Sequence, residues 1–324
     1  MAGLAFLSIA GFVLLYLGGE YLVKGAANLA LSLGISAGII GLTIVSAGTS
    51  SPELVVSLLA ALNGKSAISL GNIVGSNLAN IGVIVGLTAI VRPIPIHWTF
   101  LRVDMPVMLL AFFLYYVFAV SGTISRGNGA VLLAIFFIYL IYYTVKVIKS
   151  SRKNRSDNAA AKFDSASLEK TGSPLKNVAW IVLGTSLLIL GGHILVESAT
   201  KIATIIGISQ WVIALSMVAV GTSLPELTTS LVAAVRGHSE IVIGNVIGSN
   251  IFNVLFVQST VGVIQPIPVQ WSFITFEFPV MLAAAVILFF ILRTNYLVSR
   301  LEGVLLFTGY ILVILYAFLR NPIS

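Results

Sequence analysis

Two acidic residues, Glu53 and Glu226, stand in apolar surroundings and in the same company. Glu53 closes the run Ser46-Ala-Gly-Thr-Ser-Ser-Pro-Glu53, and Gly71-Asn-Ile-Val-Gly-Ser-Asn-Leu-Ala-Asn80 follows it. Glu226 closes Ala219-Val-Gly-Thr-Ser-Leu-Pro-Glu226, and Gly244-Asn-Val-Ile-Gly-Ser-Asn-Ile-Phe-Asn253 follows. The second copy lies 173 residues after the first at every motif position, Glu53 to Glu226 and Asn80 to Asn253 alike. A carboxylate in hydrocarbon is costly and marks a functional site by default. Two of them at equivalent places in a duplicated chain point to one shared cation site.

The neighbouring residue types fit that chemistry. Pro52 has no N–H and Gly48 loosens the turn before it, so the helix should break there and free backbone carbonyls. Broken backbone at membrane depth is tolerated only where protein or a wet cavity satisfies it. The hydroxyls of Thr49, Ser50, Thr222 and Ser223, the amides of Asn80 and Asn253, and the hydroxyls of Ser76 and Ser249 are all neutral oxygens. With two carboxylates they form a hard-ligand set of the kind that suits Ca²⁺, which takes 6–8 oxygens in flexible geometry. Taken singly each feature has a plain structural reading: a Gly-Pro kink, a hydroxyl bonded back to its own helix, a Gly-x-x-x-Gly packing motif. Their joint recurrence at one offset favours the ion site.

The rest of the chain must place these residues in a membrane. Of 324 residues 58% are hydrophobic and 9% charged, with a mean hydropathy of +1.06. A soluble domain carries roughly 25% charged residues. The expected fold is therefore an all-α polytopic membrane protein. Apolar runs of about 20 residues are expected at about 2–31, 37–62, 68–91, 99–120 and 127–149, then 175–205, 210–235, 241–264, 272–292 and 300–319. The first begins too early and runs too long for a cleaved signal peptide and reads as a span. Between the two sets lies a polar, mixed-charge stretch, 150–174, expected to be a flexible linker. The organisation is thus a first five-helix repeat (1–149), the linker, and a second repeat (175–324). An odd number of spans per unit turns the second repeat upside down, and inverted repeats with broken helices at their interface describe many secondary transporters.

Thirteen Lys and Arg residues fall at one set of span ends and three (Lys65, Arg126 and Arg320) at the other, leaving aside Lys24 and Lys201 within spans. Basic loops stay inside, so the linker is expected to be cytoplasmic and both termini outside. The net charge of +7 is accordingly a topology signal, not a nucleic-acid footprint. With no cysteine and with His97, His193 and His238 far apart, thiolate and zinc chemistry are excluded. Glu20 with Lys24, and Glu197 with Lys201, have the spacing of intrahelical pairs. Asp104 and Glu277 are expected to begin their spans, and Trp98 and Trp271 to anchor at the interface.

The paired sequences GTSSPEL with GNIVGSNLAN, and GTSLPEL with GNVIGSNIFN, resemble the alpha-repeats of the Ca²⁺/cation antiporter superfamily, and in particular the prokaryotic sodium/calcium exchangers. The resemblance covers both halves. It implies an antiporter, not an enzyme, that exchanges Na⁺ for Ca²⁺ by alternating access in the cell membrane, with no cofactor and no obligate protein partner. It implies further that Glu53 and Glu226 form the central ion site, that Thr49, Ser50, Thr222, Ser223, Asn80, Ser76, Ser249 and Asn253 line it, and that backbone carbonyls of Ser46 and Ala219 serve flanking Na⁺ sites. Potassium-dependent members typically carry Asp where this chain has Asn253, and proton/calcium exchangers tend to carry GNxxE in place of GTSxPE. Both couplings are kept as alternatives, as are, from a different class, a cation channel and an intramembrane enzyme.

Overall fold

The computed structural model describes residues 2–160, 173–205 and 221–320, and nearly all of them are helical. In chain order the elements are α1 (Ala2–Leu33), α2 (Ala37–Thr49), α3 (Ser51–Leu62), α4 (Ser66–Val91), β1 (Ile94–Pro95), α5 (Phe100–Val120), β2 (Thr123–Ile124) and α6 (Arg126–Ala160). There follow α7 (Pro174–Ile205), α8 (Leu224–Val235), α9 (Ser239–Ile264), β3 (Ile267–Pro268), α10 (Phe273–Arg293), β4 (Leu297–Val298) and α11 (Arg300–Arg320). Eight of the described helices are each long and apolar enough to cross a bilayer, and the bent pair α2 and α3 supplies a ninth crossing. The remaining expected span, 210–235, is described only in its second part, the apolar helix α8; residues 206–220 lie outside the described residues.

Two features show that the halves are inverted. First, α1 and α7, the opening helices of the two repeats, lie side by side and antiparallel. Gly11 meets Gly191, Gly18 meets Gly184 and Leu188, and Gly25 meets Asn177 and Ile181. A Cβ added at Gly18 would stand 2.8 Å from the Leu188 nitrogen, so the glycines set the close approach. Secondly, β1 pairs with β4 (Ile94 opposite Val298) and β2 with β3 (Thr123 opposite Pro268). Each pair joins the end of the third span of one half to the end of the fourth span of the other. Within one half those ends lie on opposite faces of the membrane, so this cross-pairing requires opposite orientations.

The centre of the bundle is α4 and α9. Their spanning windows are 78% and 83% buried, against 11% to 39% for the other spans. Gly244 and Gly248 of α9 let α2 pass at backbone distance: an added Cβ at Gly248 would collide with the Leu42 carbonyl and stand 2.7 Å from Ser46 Oγ. The expected break in the second span is present. α2 and α3 meet at 42°, Ser50 leaves the helical region (φ −84°, ψ 7°), and Pro52 sits in the first turn of α3, where its missing N–H costs nothing. The second half repeats this at Ser223 (φ −87°, ψ 1°) and Pro225. Gly64 and Gly237, 173 residues apart, end α3 and α8 with positive φ (71° and 85°), a conformation that favours glycine.

Some expectations are corrected. Glu20 is paired not with Lys24 but with Arg236, Nε–Oε1 2.9 Å and Nη2–Oε2 2.7 Å, while Lys24 lies 5.7 Å from the Trp180 ring centre. A guanidinium offers a bidentate fork that an ammonium cannot. The Glu197–Lys201 pair is formed, at 2.6 Å. Asp104 does not begin its span. It lies inside α5, fully buried, and accepts hydrogen bonds from Tyr139 (2.9 Å) and Tyr143. Glu277 likewise lies inside α10. Helix α6 continues past Ser150 into the stretch expected to be linker, since its Arg, Lys and Ala residues propagate a helix already begun; residues 161–172 lie outside the described residues.

Candidate cation site

Glu53 is the third residue of α3 and Glu226 the third of α8. Both carboxylates therefore sit in a first helical turn, beside unpaired N–H groups and the positive end of the helix dipole. Both are almost completely buried, at 0% and 1% exposure. Arg92 caps the far end of α8, donating from Nη1 to the carbonyls of Ala234 (3.0 Å) and Val235 (3.2 Å).

The hydroxyls interlace the two halves. Ser50 Oγ donates to Glu226 Oε1 at 3.1 Å, and Ser76 Oγ donates to Glu53 Oε1 at 3.3 Å. Ser223 Oγ lies 3.4 Å from Ser76 Oγ. Thr49 Oγ1 bonds Asn245 Oδ1 at 3.3 Å, and in mirror fashion Thr222 Oγ1 bonds Asn72 Oδ1 at 3.3 Å. The Ser46 hydroxyl turns back to the Leu42 carbonyl (2.6 Å), while the Ser46 carbonyl, at the break, accepts from Ser50 N (2.9 Å). Ala219 lies outside the described residues.

Asn80 and Asn253 each open a π-helical stretch, Asn80–Val85 and Asn253–Gln258, inside α4 and α9. Such widened turns recur at functional sites. Asn80 Nδ2 donates to Asn250 Oδ1 (3.3 Å), and Asn253 Nδ2 donates to Asn77 Oδ1 (3.1 Å). Of the buried oxygens without a hydrogen-bond partner among the described residues, five belong to residues gathered here: Glu53 Oε2, Glu226 Oε2, Asn80 Oδ1, Asn253 Oδ1 and Ser249 Oγ. Burying acceptors without donors is expensive, and a cation is a partner that satisfies them. Among the described residues no three of His, Cys, Asp and Glu come together, so the donors gathered here are two carboxylates with neutral oxygens. That is a set for hard cations.

Sequence reasoning passed over Asn72 and Asn245. Each takes the threonine of the opposite half and also binds the acid-bearing helix of its own. Asn72 Nδ2 donates to the Glu53 carbonyl (3.2 Å) and Ser57 Oγ (2.9 Å); Asn245 Nδ2 donates to the Glu226 carbonyl (3.4 Å) and Ser230 Oγ (3.1 Å). Their presence in both copies of Gly-Asn-x-x-Gly-Ser-Asn was the available signal.

Comparison with known proteins decides the family. The sodium/calcium exchanger protein family matches residues 3–145 and 176–319, almost the whole of both repeats. The chain belongs to the sodium/calcium exchanger family. It is 33% identical to the sodium/calcium exchanger MaX1 of Methanosarcina acetivorans, covering 94% of this chain and 96% of that protein. It is 35% identical to the putative antiporter CaxA of Alkalimonas amylolytica (94% and 95%) and 34% identical to the inner membrane protein YrbG of Escherichia coli (98% and 97%). Among solved structures, the exchanger NCX_Mj soaked with 2.5 mM Na⁺ and 0.1 mM Ca²⁺ superimposes with a TM-score of 0.80 at 31% identity, over 97% of each chain. This exchanger is thus a multi-pass membrane transporter of the cation/Ca²⁺ exchange type, not an enzyme.

Proposed function

We propose that this exchanger moves Na⁺ against Ca²⁺ by alternating access, with both ions competing for one buried site. The observation that carries the reading is the set of unpartnered oxygens, Glu53 Oε2 and Asn80 Oδ1 from one half, Glu226 Oε2 and Asn253 Oδ1 from the other. Two carboxylates are neutralised by one Ca²⁺. Na⁺ is of similar size, and the same oxygens serve it. Thr49, Ser50, Ser76, Thr222, Ser223 and Ser249 complete the lining, with the Ser46 carbonyl beside it. A filled site loses its bare charge and can change its side of access; an empty one keeps two desolvated carboxylates and cannot. The similar structures of NCX_Mj, soaked with Na⁺, Ca²⁺ or Sr²⁺, support ions of this class.

Extrusion of Ca²⁺ is favoured by a count of three Na⁺. A tenfold gradient gives about 1.4 kcal/mol per ion, hence roughly 4 kcal/mol for three. The one uncompensated charge adds about 2.3 kcal/mol per 100 mV. Two Na⁺ would supply roughly 2.8 kcal/mol and no electrical contribution.

The basic span ends support a cell-membrane orientation with the termini outside and the 150–174 segment cytoplasmic. That the family match omits residues 146–175 supports their reading as a connector between repeats 1–149 and 175–324. The test is flux in liposomes holding the purified protein. An outward Na⁺ gradient should drive ⁴⁵Ca²⁺ uptake against its own gradient and should do so faster with the interior negative potential collapsed. Uptake driven by H⁺ alone, or only with K⁺ present, would replace Na⁺-only coupling with one of those alternatives.

A further inference from the structure

Asn77 and Asn250 have no part in the reading above. Both are 0% exposed and stand on the two most enclosed helices, α4 and α9. Each accepts a hydrogen bond from the site asparagine of the opposite half, Asn250 from Asn80 and Asn77 from Asn253. A primary amide has two ends of nearly equal size, an accepting oxygen and a donating NH₂. Towards a cation the first attracts and the second repels. Whatever binds the NH₂ end therefore decides which end the cation meets.

In both pairs the NH₂ end of the site asparagine is taken up by the other half, and its oxygen is left without a donor. A third residue sets the sense of one pair. Asn77 Nδ2 lies 3.6 Å from Met281 Sδ, a thioether that accepts and cannot donate. Its amino end is thereby turned to Met281 and its oxygen to Asn253, which leaves the Asn253 oxygen free. The order Met281, Asn77, Asn253 alternates between the halves of the chain.

We infer that Asn77 and Asn250 are positioning residues for the transported cation: neither touches the ion, and each holds the amide of Asn253 or Asn80 with its oxygen presented to it. The inference rests on the exchanger reading above and deepens it. It explains how two neutral amides serve as ligands beside two carboxylates. A purely structural bond between α4 and α9 would hold the helices together whichever way the site amides faced.

A double-mutant cycle on Asn80 and Asn250, read as the Ca²⁺ concentration giving half-maximal Na⁺-driven uptake, separates the two. Asn250→Leu removes the acceptor and should raise that concentration on the order of five- to tenfold. In the Asn80→Ala background it should add nothing, because the amide it orients is gone. Asn250→Asp retains an accepting oxygen and should return the value to within about threefold of wild type. Asn77→Leu with Asn253→Ala forms the matching cycle. If a leucine variant does not give folded protein, Asn250→Ser or Asn77→Ser, too short to reach the partner amide, takes its place with the same shift expected. A half-saturation unmoved by loss of the acceptor, independent effects in the double variant, or an aspartate variant as displaced as the leucine one would each overturn the assignment. Wild-type protein that exchanges no Ca²⁺ for Na⁺ would instead sink the exchanger reading itself.

Discussion

Ser50 donates its hydroxyl to Glu226 across the interface between the repeats, at 3.1 Å, from the residue where its own helix breaks. The break and the bond thus fall on one residue. A hydrogen bond to a charged group contributes about 1.5–3 kcal/mol. Ser50→Ala should therefore weaken apparent Ca²⁺ affinity by roughly tenfold or more. Uptake of ⁴⁵Ca²⁺ over a concentration series checks this, and an unaltered curve would show that the bond carries no load.

Glu53→Gln or Glu226→Gln leaves a single carboxylate facing a divalent ion. Na⁺-driven Ca²⁺ uptake should fall to background in either variant while the protein still folds, as judged by size-exclusion. If cations bind these carboxylates as proposed, protons compete with them there, so lowering pH should slow wild-type transport. Full activity in either glutamine variant would displace the site.

Gly248 lies against the Leu42 carbonyl and Ser46 Oγ, both backed by helix α2, which cannot retreat cheaply. Gly248→Ala should lower thermal stability by about 1–3 kcal/mol as an overpacking change. Gly309, with open space where its Cβ would be, is the control: Gly309→Ala should leave the melting temperature unchanged or raised.

His238, half-buried in the turn between α8 and α9, has its imidazole pKa held below the ordinary value by burial. The unfolded chain then binds the proton more readily than the folded one, so stability rises with pH through this range and falls as pH drops below about 6.5. In His238→Gln the melting temperature should depend less on pH between about 5 and 7. An equal slope in both proteins would remove His238 as the source.

Much of this architecture is legible in the sequence because the duplication is exact in its offset. Glu53 with Glu226 and Asn80 with Asn253 are found by register alone, and the odd count of spans per repeat carries the inversion. The family resemblance rests on the same residues and is upheld. What the sequence hides are choices of partner. The spacing of Glu20 and Lys24 shows a neighbour on the same helix, but Arg236, 216 residues away in the chain, offers the better fork. Asp104 reads as a helix start because its partners, Tyr139 and Tyr143, lie on another span. The π-helical turns at Asn80 and Asn253 have no residue signature, since i→i+5 bonding arises from packing and not from local preference. For the same reason the orientation of each amide becomes visible only when the opposite half is in place.

The cross-paired strands set an order of events. Ile94 waits for Val298 of the other half, and Asn80 waits for Asn250. Closing contacts over such sequence distances is slow and comes late. During synthesis the first repeat emerges into the bilayer with its acid and amides unmatched, and the proposed ion site is assembled only after α8 and α9 have followed it.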